Sequence, residues 1–133
     1  EILRQAQDDI PQTVSQGFSV SPPTTVDRIA ALEAFLLDDP DDPFTRFALA
    51  QEHRKAGRPG QALTIFEDLV RDHPAYVGTY YHLGALYSEM DQPDDALRIY
   101  RAGIAEATTA GDLHARAELQ SALLEAEGLG FDD

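Results

Sequence analysis

Cysteine is absent from the 133 residues, which excludes a disulfide framework, thiol catalysis and cysteine-ligated zinc. Lysine is almost absent: Lys55 stands alone beside the arginines. No run of roughly 18 apolar residues occurs, so no membrane insertion is expected. No basic, apolar leader stands at the front, which makes the cytoplasm the expected location. The chain opens on Glu1 rather than Met, as a fragment or processed form would. Positive charge of any kind is scarce. Lys and Arg total 10 against 24 Asp and Glu, and the net charge is −14. A chain that acidic repels nucleic acid and anionic membrane surfaces. No stretch reads as a strand. There is no glycine-rich phosphate loop, and no nucleophile has an evident base. Ser88 and Ser121 read as ordinary helix-surface serines. His53, His73, His82 and His114 show no metal spacing. No enzyme, cofactor or metal is therefore expected.

What is present is acid, arginine and a helical pattern. Arginine over lysine fits a GC-rich genome, but that does not account for the surplus of acid. A salt-rich cytoplasm accounts for both, because carboxylates hold water and cations, and at about 1 M salt the screening length is only about 3 Å. A halophilic source is the expectation.

Residues 1–25 read as a mostly irregular tail. They hold Pro11, Gly17, Pro22 and Pro23, and Ile10, Val14, Phe18 and Val20 keep no period. A short helix around Ile2 to Asp9 fits the pattern. From Val26 the pattern turns helical, with Ile29, Leu32, Phe35 and Leu36 on one face until Asp38-Asp39-Pro40 stops it. A second helix is expected from Pro43 to Ala56 and a third after Pro59, ending before Pro74. A fourth is expected from Val77 to Met90, and a fifth from Ala96 to about Ala107. Thr108 to Gly111 reads as a loop. Asp112 is a good N-cap for a last helix over Leu113 to Glu127, and Gly128 a good C-cap. The aspartates around Pro40 lack the alternating ligands and glycine of a calcium loop, so they read as a solvated turn.

The helices are copies. A shift of 34 residues lays Leu49 on Leu83, Ala50 on Gly84, His53 on Tyr87, Pro59 on Pro93, Ala62 on Ala96 and Phe66 on Tyr100 without a gap. A period of that length with two helices per unit predicts a helical solenoid. Small residues at Ala50, Gly84, Ala62 and Ala96 let helices approach closely, and the large ones fill the space between repeats.

With these residues the chain resembles tetratricopeptide repeat (TPR) proteins from about Arg28 to Glu127, and in particular small stand-alone bacterial members without assigned chemistry. The second repeat carries Tyr80, Leu83-Gly84, Tyr87, Ala96 and Tyr100 on signature positions; the first carries Leu49-Ala50, Ala62, Phe66 and Pro74. Arg46 stands where a large apolar residue is usual, His53 where Tyr is, and Thr108 where Pro is, so the second helix of that repeat is free to run on. The resemblance implies an all-α, right-handed α-α superhelix over residues 26–128, with repeats at about 43–76 and 77–110. A half repeat precedes them, a capping helix at about 112–127 follows, and residues 129–133 form a tail.

The resemblance also implies a function. The first helix of each repeat lines a concave groove, and Phe47, Gln51, Arg54, Lys55, Tyr81, His82, Ala85, Glu89, Arg116, Leu119 and Leu123 fall on that face. Phe47 and Tyr81 read as apolar anchors, Arg54, Lys55 and Arg116 as carboxylate partners, Gln51 and His82 as hydrogen-bonding groups. The expected partner is a protein or peptide segment that is acidic or has a free C-terminus. The clamp by which TPR co-chaperones grip a chaperone's C-terminal carboxylate is not intact. Its positions hold Phe47, Gln51, His82, Asp112 and Arg116, of which only Arg116 agrees. The alternative is a structural subunit that forms a homo-oligomer or packs into a larger complex. Its contacts would be the tail and an apolar end made of Leu119, Leu123, Leu129 and Phe131.

Overall fold

The computed structural model describes residues 21–128. The tail residues Ile10, Val14, Phe18 and Val20, the helix expected near Ile2, and Leu129 and Phe131 lie outside them. Six helices follow one another among the described residues: α1 (Thr25–Asp38), α2 (Pro43–Lys55), α3 (Pro59–Asp72), α4 (Gly78–Glu89), α5 (Pro93–Ala110) and α6 (Leu113–Ala126). No strand occurs among these residues. The fold is an all-α helical repeat.

Local chemistry sets the boundaries. Thr24 and Asp27 open α1 with a reciprocal capping box, each side chain accepting the other's backbone N–H at 3.1 Å. Asp42 caps α2 by accepting the Thr45 N–H at 2.9 Å, and Asp112 caps α6 by accepting the Ala115 N–H at 3.0 Å. The helices α3 and α5 have no side-chain cap and begin instead with Pro59 and Pro93, whose fixed φ suits a first turn. The turns before them are copies: Gly57 (φ 76°) and Asp91 (φ 60°) hold the same left-handed conformation one repeat apart. The expected loop at Thr108 to Gly111 is corrected. With no proline at 108, α5 continues to Ala110, and Gly111 ends it at φ 71°.

Each helix packs on the next, and α6 also reaches back to α4. Ala50, Ala62, Phe66, Leu83, Tyr87, Ala96 and Tyr100 are all buried in one core. A Cβ on Gly84 would stand 2.2 Å from a carbon of the Tyr100 ring. Gly103 is a second close approach that the repeat alignment does not mark. A Cβ there would stand 2.5 Å from the Tyr80 Cβ. Pro74 is not a packing residue. It is exposed after α3, and its carbonyl accepts the Tyr80 hydroxyl at 2.6 Å. His53 is buried, as a Tyr replacement should be, but it is not satisfied: its Nδ1 has no partner among the described residues.

Arg46 departs from the apolar pattern for a visible reason. Its guanidinium bonds Asp41 at 2.9 Å and Asp72 at 3.0 Å, tying the turn before α2 to the end of α3. His73 Nε2 lies 3.0 Å from the same Asp41 carboxylate. The aspartates flanking Pro40 thus serve as a cap and an ion-pair partner.

Candidate functional site

Helices α2, α4 and α6 stand side by side, joined across their faces. Arg54 of α2 meets Glu89 of α4 at 2.5 Å. The Gln51 amide reaches His82 Nδ1 at 3.4 Å. Tyr81 and Ala85 of α4 face Ala122 and Glu125 of α6 across an open cavity of about 460 Å³, floored by Tyr100. A second cavity of about 210 Å³ adjoins it, sharing Tyr81, Ala122 and Glu125 and adding Glu118.

The residues read from the sequence divide between this cleft and its foundations. Tyr81 is 43% exposed and walls both cavities. Phe47 is not a free anchor. Its ring packs at 5.8 Å from Phe66, 5.9 Å from Tyr76 and edge-on at 5.3 Å from His82. His82 in turn lies edge-on to Tyr81 at 5.5 Å. Burial holds the His82 pKa below the usual value, and the Arg54 charge adds to this while Glu118 opposes it. Burial thus favours the neutral imidazole, whose Nδ1 lies within hydrogen-bonding reach of the Gln51 amide.

Two of the three expected cations are engaged within the chain. Arg54 pairs with Glu89, and Lys55 lies 3.3 Å from Glu52. Glu52 also takes Arg28 of α1 at 3.0 Å. Burial alone would raise the Glu52 pKa, but bonds to Arg28 and Lys55 outweigh it and hold the carboxyl below the usual range. Arg116 is half-buried on α6 and lines neither cavity. Leu119 is corrected outright. At 1% exposure it is core rather than groove or apolar end, its methyl packed near Gly103. Leu123 is half-buried against the same core.

Sequence reasoning missed Glu118, Ala122 and Glu125. They recur at i, i+4 and i+7 on α6 and so share one helix face. The expected groove face took Arg116, Leu119 and Leu123 from this helix, whereas Glu118, Ala122 and Glu125 lie on a different stripe of it. No group of three metal-ligating residues occurs among the described residues. No helix among them is long and apolar enough to cross a membrane.

Comparison with known proteins agrees with this architecture. The tetratricopeptide repeat family profile matches residues 53–123. The solution structure of a tetratricopeptide repeat domain protein from Salinibacter ruber is 53% identical, with 71% of this chain and 96% of that one covered at a TM-score of 0.66. A crystal structure of a tetratricopeptide repeat domain protein from the same organism is 55% identical, covering 66% and 99% at a TM-score of 0.64. A Bordetella parapertussis protein at 24% identity shares the fold, with a TM-score of 0.65 over 74% of this chain and 86% of that one. No curated protein matches the chain.

Proposed function

The chain belongs to the tetratricopeptide repeat family, and from that premise we propose that it is a non-catalytic module that holds a segment of a partner protein in its concave groove. The fold is generally used for protein–protein interaction. The observation that carries the finer reading is the cleft between α4 and α6, where an exposed tyrosine and two cavities lie on the inner face. Tyr81 supplies an amphipathic contact, with an apolar ring and a hydroxyl at its tip. Gln51 and His82 supply polar groups farther along the same face.

Affinity capture from the source cells with the parent protein beside Tyr81→Ala and Ala85→Trp variants tests this. The second substitution fills the cavity. A partner held by the parent and lost by both folded variants is the expected result. A partner held equally by all three would move the function away from the groove.

A structural-subunit reading has one observation in its favour. Phe35 and Leu37 of α1 and Phe44 at the start of α2 are all exposed, and Phe35 lines a mostly apolar hollow with Ala31, Ala34 and Asp38. Sedimentation of the parent beside Phe35→Ser separates the readings. Self-association that disappears with the substitution supports the subunit, and a monomer in both cases removes it.

A further inference from the structure

The charge inside the cleft is the opposite of what the sequence implied. The cavity between α4 and α6 carries Glu89 and Glu125, and its neighbour adds Glu118. No lysine or arginine among the described residues lines either cavity. Arg54 neutralises Glu89 alone. Among the described residues, the ion-pair partner of Glu118 is an exposed imidazole, His114, at 3.4 Å. The cavity also holds two kinds of surface that suit a long cationic side chain. The Tyr81 and Tyr100 rings and Ala85 and Ala122 offer an apolar wall for a methylene stem, and the Tyr81 face offers its quadrupole to a cation. A partner carboxylate brought here would meet Glu118 and Glu125 in a chain of net charge −14.

Resting on the groove reading above, we propose that the partner segment is basic, and that an arginine side chain enters the cleft between α4 and α6. Its guanidinium lies against Tyr81 and pairs with Glu118 and Glu125. Arginine fits better than lysine because its planar head both stacks on an aromatic face and forks to carboxylates. The long-range field of the acidic chain steers such a segment toward the cleft.

Three fluorescently labelled synthetic peptides test this, identical except that the variable positions are all Arg, all Ser or all Glu. Binding is followed by anisotropy at about 0.15 M salt, where charges beyond about 8 Å are screened. The Arg peptide binds the parent most tightly. It loses about tenfold or more in a Glu118→Gln/Glu125→Gln variant, the loss of about 1.4 kcal/mol that one charge-assisted contact represents. A Glu33→Gln/Asp94→Asn control, which removes the same charge from the outer surface, binds as the parent does. Equal loss in both double variants would mean diffuse attraction and would overturn the proposal, as would tighter binding of the Glu peptide. The Ala85→Trp variant separates the two levels. If the Ser or Glu peptide binds best and is lost on Ala85→Trp, the groove stands and the arginine inference fails. If Ala85→Trp affects no peptide, both fail.

Discussion

At the scale of single residues, this protein turns on where a side chain is small. Gly103 sits where the first repeat has Leu69, so the two repeats solve the same position differently. In the second repeat the space belongs to Tyr80 and Leu119 instead. Gly103→Ala would drive a Cβ into the Tyr80 Cβ, which is anchored close to the backbone and cannot swing aside. Overpacking of this kind costs about 1–3 kcal/mol, more than the roughly 1 kcal/mol that alanine gains in a helix. Gly60 is the contrasting case, because a Cβ there meets nothing within 4 Å. Urea unfolding should therefore show Gly103→Ala below the parent and Gly60→Ala at or slightly above it. Equal midpoints for the two variants would mean that the core relaxes around Gly103. His53 makes a different residue-scale point. It takes the position of Tyr87 one repeat earlier. Tyr87 carries its hydroxyl to Glu67 at 2.6 Å, whereas the His53 Nδ1 finds no partner among the described residues.

At the scale of helices, tyrosine hydroxyls fasten α4 to the chain before it. Tyr87 bonds Glu67 of α3, and Tyr80 bonds the Pro74 carbonyl in the connection between the two helices. Burial pushes both phenols up to about 12 from the usual 10.0, helped by Glu67 beside Tyr87 and by Glu106 near Tyr80. A phenol raised in the folded state binds its proton more tightly there than in the unfolded chain. The stability it contributes is complete below pH 10 and is lost as pH rises toward about 12. Stability measured by urea unfolding should fall across that window. Tyr87→Phe should start lower, by the roughly 0.5–1.5 kcal/mol of one hydrogen bond, and fall less steeply. An identical alkaline slope in the variant would show that Tyr87 takes no part in it. The packing of α4 on α6 is the other decision made at this scale. It makes residues 118, 122 and 125, rather than the Arg116, Leu119 and Leu123 expected from the same helix, one wall of the cleft.

At the scale of the whole molecule, the surplus of acid dominates. Ten basic residues cannot neutralise 24 acids, so carboxylates remain in mutual repulsion whatever pairs form. Salt weakens the pairs and the repulsion together, but the repulsion has more members. The melting temperature should rise as salt goes from about 0.01 M, where the screening length is about 30 Å, to about 1 M, where it is about 3 Å. A flat or falling curve would mean that ion pairs such as Arg46 with Asp41 and Asp72 outweigh the net charge. Repeat architecture makes this response collective, since each layer of the solenoid rests on its neighbours.

The order of helices, their stops and their small-residue contacts were legible from sequence, because each depends on residues a turn or one repeat apart. Asp112 caps the helix that begins beside it, as its position indicates, and proline or glycine marks each break. The 34-residue shift pairs Ala50 with Gly84 and Ala62 with Ala96 because one packing solution is used twice. The cleft was legible only as a face. Whether a charge on that face is free depends on which carboxylate lies across from it. That is a relation between helices many residues apart, such as Arg54 with Glu89 or Arg28 with Glu52. The family resemblance put Leu119 on the groove face, and it is core instead, because Gly103 leaves it room. Only the packed helices could decide these things, since electrostatics and volume act through space and a linear pattern carries no distances across it.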